Sequence, residues 1–495
     1  MRTLAGCRKT PVGRVASATA PDARRRDAVD VPAHRLGATT QQAGPCRGNP
    51  SGRKGLGAIC FVAARPRWHR IALLAAPRIW HPKPLARGPR EFLSRLLTVT
   101  ILALFLVAAT AAAAEPIAIG ERVTIQSQIL GEERTILIST PANYARSTER
   151  YPVLYMTDGD THLTHTRGTV DFLAANGLMP DLIIVGVANT DRARDLSPTH
   201  WVRPALPGEP QGPNTSGGAD KFLDFFAKEL FPYVESHYRT LSYRVFAGHS
   251  LGGLLALHIM VARPDMFNAY IAASPALTWD DDYPLRTTKA FFKDRKVFPK
   301  TLFVAMGNEE AGHPKPTRFD WLRDTLGRVK AEGFVRGFML MEDESHGSMV
   351  LRTHYWGLRK IFDGWRLPVD PKTGRFTGTL ADVKSHYAAL GKRLGIPLLP
   401  PEPTVNLLGY EFLQGGSSEQ AISIFRYNAE LYPDSANVYD SLGEALENAG
   451  CMEEAFSSYG KAVENAQKAK DKQLDVFTRN RDRAAAAVKN TKRAP

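Results

Sequence analysis

A serine flanked by glycines lies between two apolar segments of the chain. Residues 248–252 read Gly-His-Ser-Leu-Gly, after a short apolar run and before a leucine-rich run of small residues. This order predicts a strand, a sharp turn and a helix, with Ser250 exposed at the turn as a nucleophile. Gly248 and Gly252 would remove Cβ atoms that clash in such a turn. His249 is expected to point away from the serine, and a glycine-rich turn without a nucleophile is the alternative.

A serine hydroxyl needs a base to remove its proton, and histidine is well suited to that task near neutral pH. In hydrolases with this kind of turn, an acid and then the histidine follow the serine along the chain. Residues 338–341 are predicted to form the last strand, and His346 follows them directly. We therefore predict that His346 is the base. His313, which lies before that strand, is the nearest alternative.

The acid that orients the base is expected in the loop after the preceding strand, residues 301–306. Glu310 lies three residues after Gly307 and is favoured over its neighbour Glu309. Its role would be to hold the imidazole in one tautomer and to stabilise the imidazolium. Asp343 is a third candidate.

An oxyanion hole requires two backbone N–H groups that converge on one point. Leu251, the residue after the serine, is predicted to provide the first. The second is expected from the loop after the strand at residues 151–156, where the sequence continues Thr-Asp-Gly-Asp. Gly159 permits a turn there, so the N–H of Asp160 is the candidate. A plain Asp-Gly turn is the alternative.

Strand-like and helix-like segments alternate from residue 115 onward. Residues 122–129 and 134–139 predict a hairpin, and continuous apolar runs predict strands buried on both faces of a parallel sheet. The alternation predicts an α/β fold, and the serine turn makes it an α/β-hydrolase with a mostly parallel central sheet. The predicted buried strands are 151–156, 182–187, 244–247, 270–273, 302–306 and 338–341, and the main helices are 220–238, 252–262 and 318–332.

The chain changes character after residue 366. A helix is predicted over residues 379–394 and a proline-rich linker over 397–403, followed by a repeat with a period of 34 residues. That period is typical of tetratricopeptide repeats, in which small residues let antiparallel helices approach and aromatic residues fill the gap between units. A capping helix is predicted over 468–489, and two ordinary helical hairpins are the alternative. The equivalent positions are Leu408 and Leu442, Gly409 and Gly443, Ala421 and Ala455, and Phe425 and Tyr459.

The formal net charge of +14 is concentrated at the amino-terminal end. Residues 1–114 contain 19 basic and 4 acidic residues, whereas the remainder contains 45 and 46. This distribution argues against a nucleic-acid-binding surface on the body of the protein. The region from residue 115 contains one cysteine, Cys451, and no Cys/His spacing typical of a zinc site.

Residues 91–114 have the pattern of a signal peptide. A charged start precedes an apolar core at residues 96–108, and small residues precede Glu115. The pattern predicts a periplasmic or secreted protein with no stable membrane span after processing, and an uncleaved signal anchor is the alternative. Residues 1–90 show no periodicity and are interpreted as a disordered or mis-assigned leader.

Several segments between residues 117 and 366 resemble the "Putative esterase" family, which includes esterase D and the ferric-siderophore esterases. The segments are Tyr-Pro-Val-Leu-Tyr with Asp-Gly-Asp, Gly-His-Ser-Leu-Gly-Gly, Arg-Pro-Asp-Met-Phe, Ala-Ser-Pro-Ala-Leu and Ser-His-Gly-Ser. The resemblance implies an α/β-hydrolase with Ser250 as nucleophile and His346 as base. The resemblance also implies that a Ser-His pair with a weak or absent acid can suffice, as in some siderophore esterases. The family also includes acyltransferases.

Together these features predict a serine carboxylic-ester hydrolase that works through an acyl-enzyme on a small ester, without metal or other cofactor. An acyltransferase of the same fold, or a non-catalytic scaffold whose repeats bind a protein partner, is the alternative. The predicted organisation is a leader (1–90), a signal peptide (91–114), an esterase domain (115–366), a helix and linker (367–403), two repeats (404–472) and a capping helix with tail (473–495).

The loops at residues 190–219 and 278–300 are predicted to determine specificity. Their aromatic and cationic side chains would suit a catecholate siderophore ester, but also other anionic or aromatic esters. Ordinary surface positions are the alternative. The residues concerned are Arg192, Arg194, Trp201, Arg203, Trp279 and Tyr283.

Overall fold

The computed structural model describes residues 117–202, 214–310, 312 and 314–491. The predicted leader and signal peptide, Arg203 and His313 therefore lie outside the described residues. So does the side chain of Glu310, whose backbone is described.

Eight strands form one sheet in the order β1-β2-β4-β3-β5-β6-β7-β8. Strands β1 and β2 form the predicted hairpin and pair antiparallel, as do β2 and β4, while every pair from β3 to β8 is parallel. The prediction of an α/β-hydrolase with a mostly parallel sheet is confirmed. The strands are β1 Glu121–Ser127, β2 Glu132–Ser139, β3 Tyr151–Met156, β4 Ile183–Val187, β5 Thr240–His249, β6 Ala269–Ala273, β7 Thr301–Met306 and β8 Val335–Leu340.

Helices cover both faces of the sheet, which explains why the inner strands are apolar along their whole length. Helices α1 and α8 pack on one face, and α3 to α7 pack on the other. A π-helical turn, Phe226–Leu230, joins α3 to α4. The helices are α1 Gly159–Ala175, α2 Arg192–Leu196, α3 Ala219–Phe225, α4 Phe231–His237, α5 Leu251–Ala262, α6 Trp279–Phe292, α7 Arg318–Gly327 and α8 Val350–Ile361.

The parallel strands bring six loops to the same edge of the sheet. Because β3 to β8 all run in one direction, the residues that follow each of them meet at the carboxyl edge. The predicted nucleophile, oxyanion, acid and base segments follow β5, β3, β7 and β8, respectively.

The carboxyl-terminal helices form an array that begins under the amino edge of the sheet. Helix α9 packs below α8, where the Tyr387 hydroxyl donates to the Trp365 carbonyl at 3.0 Å and the Trp365 and Tyr387 rings meet edge to face. One apolar core runs from the strands through α9 into α10 and α11. The array helices are α9 Leu380–Leu394, α10 Glu402–Gln414, α11 Ser418–Leu431, α12 Ala436–Asn448, α13 Met452–Ala469 and α14 Leu474–Thr491.

The 34-residue repeat appears as two equivalent helical hairpins. A Cβ atom at Gly409 would lie 2.4 Å from the Phe425 ring, and one at Gly443 would lie 2.7 Å from the Tyr459 ring. Each glycine thus lets one helix rest against an aromatic ring of its partner helix. The assignment of these hairpins as tetratricopeptide repeats stays a prediction.

Two predicted helix boundaries were wrong. The helix expected over 318–332 ends at Gly327, after which residues 328–334 turn into β8. The capping helix expected from 468 begins at Leu474, because α13 continues to Ala469 and Lys470 then adopts the left-handed conformation that ends a helix. A sequence rich in lysine and alanine gives no signal for that break.

Candidate active site

Ser250 occupies a strained turn between β5 and α5. Its φ of 59° and ψ of −112° are unfavourable for a residue with a side chain. Its N–H donates to the Ala273 carbonyl at 2.9 Å, and its own carbonyl accepts from Ala276 at 3.2 Å. A Cβ at Gly248 would lie 2.1 Å from the carbonyl oxygen of Gly252, so the turn excludes larger residues there. These contacts to the loop after β6 hold the turn in its unusual conformation.

A carboxylate and an imidazole meet where β7 and β8 end. The Glu309 Oε2 atom lies 3.3 Å from His346 Nδ1, and the Ser274 hydroxyl donates to Glu309 Oε1 at 2.6 Å. Burial alone would raise the pKa of Glu309. The hydrogen bonds from His346 and Ser274, together with the His346 charge, outweigh it and lower the pKa below its ordinary value. The carboxylate is therefore ionised near neutral pH.

Glu309 contacts the imidazole, whereas the sequence favoured Glu310, whose side chain lies outside the described residues. The two lie in one 3₁₀ turn, Asn308–Glu310, and the Asn308 N–H donates to the Glu344 carbonyl at 2.8 Å. This bond joins the acid loop to the base loop and brings Glu309 against the ring. Asp343, the third candidate, is ion-paired with Arg352 at 2.6 Å.

Two helices begin at the serine turn and at the oxyanion loop. Leu251 is the first residue of α5, and Asp160 is the second residue of α1. The first N–H groups of a helix have no partner within it. No hydrogen bond among the described residues uses the N–H of Leu251 or of Asp160. Both groups can therefore donate to an oxygen at this edge.

His249 contributes to the base loop, a role that the sequence analysis missed. Its Nε2 lies 2.8 Å from the His346 carbonyl oxygen, and the two rings are 4.6 Å apart. Since a carbonyl oxygen can only accept, the Nε2 atom carries the proton and donates it. The sequence predicts only that this side chain points away from the serine. Its contact in the structure holds the backbone of the base loop.

His249 also belongs to a histidine cluster that extends from His346 into the α1–α8 interface, through His162, His165 and His354. The rings of His162 and His249 are 5.6 Å apart, and those of His165 and His354 are 5.5 Å apart. Burial lowers the pKa of all four inner members, that of His249 to about 4 and that of His354 well below its ordinary value. The inner members are therefore neutral above pH 7. The His-x-x-His spacing of His162 and His165 on one helix was the available sequence signal.

The described residues contain neither a metal-binding cluster nor a membrane-spanning helix. No group of three or more His, Cys, Asp or Glu side chains there has the geometry of a metal site. Within the same part of the chain, no helix combines the length and the apolar character that a membrane span needs.

Comparisons with known proteins found relatives among esterases. A model of the family described as "Putative esterase" matches residues 127–312. The siderophore triacetylfusarinine C esterase of Aspergillus fumigatus is 30% identical over 224 residues, which are 43% of this chain and 75% of that protein. The ferri-bacillibactin esterase BesA of Bacillus subtilis is 31% identical over 241 residues, 44% of this chain and 82% of that protein.

The chain belongs to this esterase family. Its fold also matches the crystal structure of an IroE-like serine hydrolase from Shewanella oneidensis, with a TM-score of 0.55 and 28% identity over 63% of this chain and 99% of that one. The protein is thus a carboxylic-ester hydrolase of the α/β-hydrolase fold.

The predicted specificity residues of the esterase divide into two groups. Trp201 and Trp279 are half-buried, and their rings meet edge to face at 4.9 Å. Arg194, by contrast, is engaged in ion pairs with Glu132 and Asp195. These ion pairs direct the guanidinium of Arg194 toward β2, so its predicted part in specificity has no support from its contacts. The Tyr283 hydroxyl meets His258 at 3.1 Å, between α5 and α6.

Proposed function

We propose that this protein hydrolyses esters through a covalent acyl-enzyme formed on Ser250. His346 removes the proton of the serine hydroxyl as it attacks the ester carbonyl, then gives that proton to the leaving alcohol. Water, activated by the same imidazole, attacks the acyl-enzyme and releases the acid. The Leu251 and Asp160 N–H groups stabilise the negative oxygen of both tetrahedral intermediates.

Glu309 takes the role of the acid in this proposal. A proton on His346 Nδ1, donated to the carboxylate, leaves the Nε2 lone pair free to act as the base. The contact between Glu309 and His346, at the same sheet edge as the strained serine, is the observation that carries the proposal. Ser250 and His346 have no hydrogen bond to each other among the described contacts. Such catalytic contacts often tighten only when substrate binds.

A fluorophosphonate probe combined with steady-state kinetics on p-nitrophenyl acetate tests the nucleophile. We expect wild-type protein to be labelled on Ser250, and Ser250→Ala to lose labelling and nearly all turnover, with its melting temperature preserved. Ser236→Ala is the matched control, because Ser236 is an exposed serine at the other edge of the sheet. Labelling of Ser250→Ala at the wild-type rate would overturn the proposal.

The substrate class follows from the relatives rather than from the site alone. One is named as a siderophore esterase and the other as a ferri-bacillibactin esterase, so a siderophore ester is the proposed substrate. Turnover of a ferric trihydroxamate ester and of a ferric catecholate lactone, measured beside simple aryl esters, tests this choice. Simple esters turned over with a far higher kcat/KM than either siderophore would contradict it. Export from the cytoplasm and a protein partner for the helical array stay predictions.

A further inference from the structure

Arg192 joins the two loops that would form the oxyanion hole. Its Nε and Nη2 atoms donate to the two oxygens of Asp158 at 2.6 and 3.2 Å, and Nη2 also donates to the His249 carbonyl at 3.0 Å. Asp158 directly precedes α1, which carries the Asp160 N–H. His249 directly precedes the serine turn. A single guanidinium thus bridges both segments.

Both segments are strained, one at the bridged residue Asp158 and the other at Ser250, which follows the bridged His249. Asp158 has a φ of 54°, and Ser250 has a φ of 59°. Non-glycine residues in this region cost on the order of 1–3 kcal/mol and persist only where their surroundings hold them. Asp158 is 5% exposed, and Asn189 donates to its carboxylate at 2.7 Å. Burial alone would raise the pKa of Asp158, but the Arg192 and Asn189 contacts lower it overall.

The start of α5 and the loop before α1 are too close for a larger residue at Gly252. A Cβ atom at Gly252 would lie 2.3 Å from the Thr157 hydroxyl and 3.4 Å from Asp158 Oδ2. The start of α5 therefore rests directly on the loop before α1. The position of one N–H donor depends on the position of the other through this contact and through Arg192.

Arg192 is itself held in place by the rest of its helix. Helix α2 is tied to β2 because Asp195, which is 2% exposed, accepts from the buried Arg134 at 2.6 Å. Arg194 pairs with Glu132 on the same strand. In the sequence Arg-Ala-Arg-Asp, the first arginine therefore faces the candidate site and the second faces β2.

We infer that Arg192 is a positioning residue that fixes the separation of the Leu251 and Asp160 N–H groups through its salt bridge to Asp158. This inference rests on the proposed function, because it concerns the oxyanion hole of that mechanism. The side chain acts through the two loops and need not touch the substrate. Loss of the bridge would let the donors drift from the point where the oxyanion forms.

The test compares Arg192→Met and Asp158→Asn with Arg323→Met, a control at an exposed surface arginine. We expect Arg192→Met and Asp158→Asn each to lower kcat by about 10²-fold, comparable to the loss of one oxyanion donor, with KM nearly unchanged. The affinity for a boronic acid, which mimics the tetrahedral intermediate, should fall in parallel. The double variant should be no worse than Arg192→Met alone, because that variant already removes the salt bridge to Asp158.

Two esters separate positioning from substrate binding. Turnover of neutral p-nitrophenyl acetate and of anionic 4-acetoxybenzoate should fall equally if Arg192 positions the donors. A rise in KM confined to the anionic ester would assign Arg192 to substrate binding and overturn the inference. A lower melting temperature with unchanged kcat would reduce its role to structure and overturn it as well. Wild-type protein lacking Ser250-dependent turnover would instead refute the proposed function.

Discussion

Backbone strain is distributed differently in the catalytic edge of the sheet and in the helical array. At the catalytic edge, the positive φ angles of Asp158, Ser250 and Ser274 fall on residues with side chains. In the array, most positive φ angles fall on glycines that follow helix ends, such as Gly395 and Gly450. The array therefore follows local preferences, whereas the catalytic edge is held against them by contacts between loops.

The difference indicates which contacts determine the backbone conformation in each region. In the array, a residue's neighbours in sequence decide its conformation, and the two hairpins repeat the same glycine-on-aromatic contact. At the catalytic edge, each strained residue is fixed by partners that are distant in sequence, such as Ser274 by Glu309. Substitutions at the edge should change activity first, and substitutions in the array should change stability first.

Among the variants that compare these two regions, the largest effect is expected from breaking the acid contact. Glu309→Gln should lower kcat/KM by about 10²-fold or more, because an amide no longer selects the His346 tautomer with a proton on Nδ1. The matched variant Glu310→Gln, one residue along the same turn, should stay within about threefold of wild type on this assignment. Steady-state kinetics on one aryl ester measures both. A larger loss in Glu310→Gln than in Glu309→Gln would return the acid to Glu310.

The choice between these two glutamates shows what the sequence could not supply. The strand, the serine turn and the order of serine, acid and histidine follow from local pattern, and the sheet agrees with them. That Glu309 faces the imidazole depends on Ser274 and on the Asn308–Glu344 bond. Those contacts join three loops that are distant in sequence. No periodic pattern of the sequence can therefore predict them.

The two arginines of α2 also show that contacts between distant segments cannot be predicted from the local sequence. Arg192 and Arg194 are the same residue type and lie two positions apart. Only the path of α2 shows that Arg192 faces the site and that Arg194 faces Glu132. In the array, by contrast, the equivalence of Gly409 with Gly443 and of Phe425 with Tyr459 was readable as a repeat, although the rings were expected between units rather than against the glycines. Local rules decide that contact.

A second prediction concerns stability within the array. Gly409→Ala places a methyl group 2.4 Å from the Phe425 ring, so the helices must separate. The free energy of unfolding should fall by about 1–3 kcal/mol, the usual cost of overpacking. Urea denaturation followed by circular dichroism measures this loss. Turnover at a temperature well below the melting point should be unchanged, because the array lies at the other edge of the sheet.

A third prediction uses pH to probe the histidine cluster. The pKa of His249 is about 4 in the folded protein, against an ordinary value of 6.5. The unfolded state therefore binds a proton more readily, so this contribution to stability is full above pH 6.5 and is lost as the pH falls toward 4. The wild-type melting temperature should thus decrease between pH 7 and pH 5.

Replacement of one member tests whether the cluster causes that decrease. His249→Gln keeps an N–H donor for the His346 carbonyl but cannot titrate. It should flatten the decrease by roughly 2–4 °C, the shift that about 1 kcal/mol produces in a domain of 150–250 residues. His237→Gln, at an exposed histidine on α4, is the control and should follow the wild-type curve. Equal slopes in all three proteins would place the acid sensitivity elsewhere.

The smallest predicted effect has the opposite sign and tests the claim that the array follows local rules. Gly460 lies within α13, and a Cβ atom there would meet nothing within 4 Å. Alanine is favoured over glycine inside a helix by about 0.8–1.0 kcal/mol, so Gly460→Ala should stabilise the protein by up to that amount. Because Gly409→Ala makes the same chemical change against an aromatic ring, the two variants should shift urea midpoints in opposite directions. Destabilisation by Gly460→Ala would mean that contacts beyond its own helix determine that position too, and the contrast between the two regions would not hold.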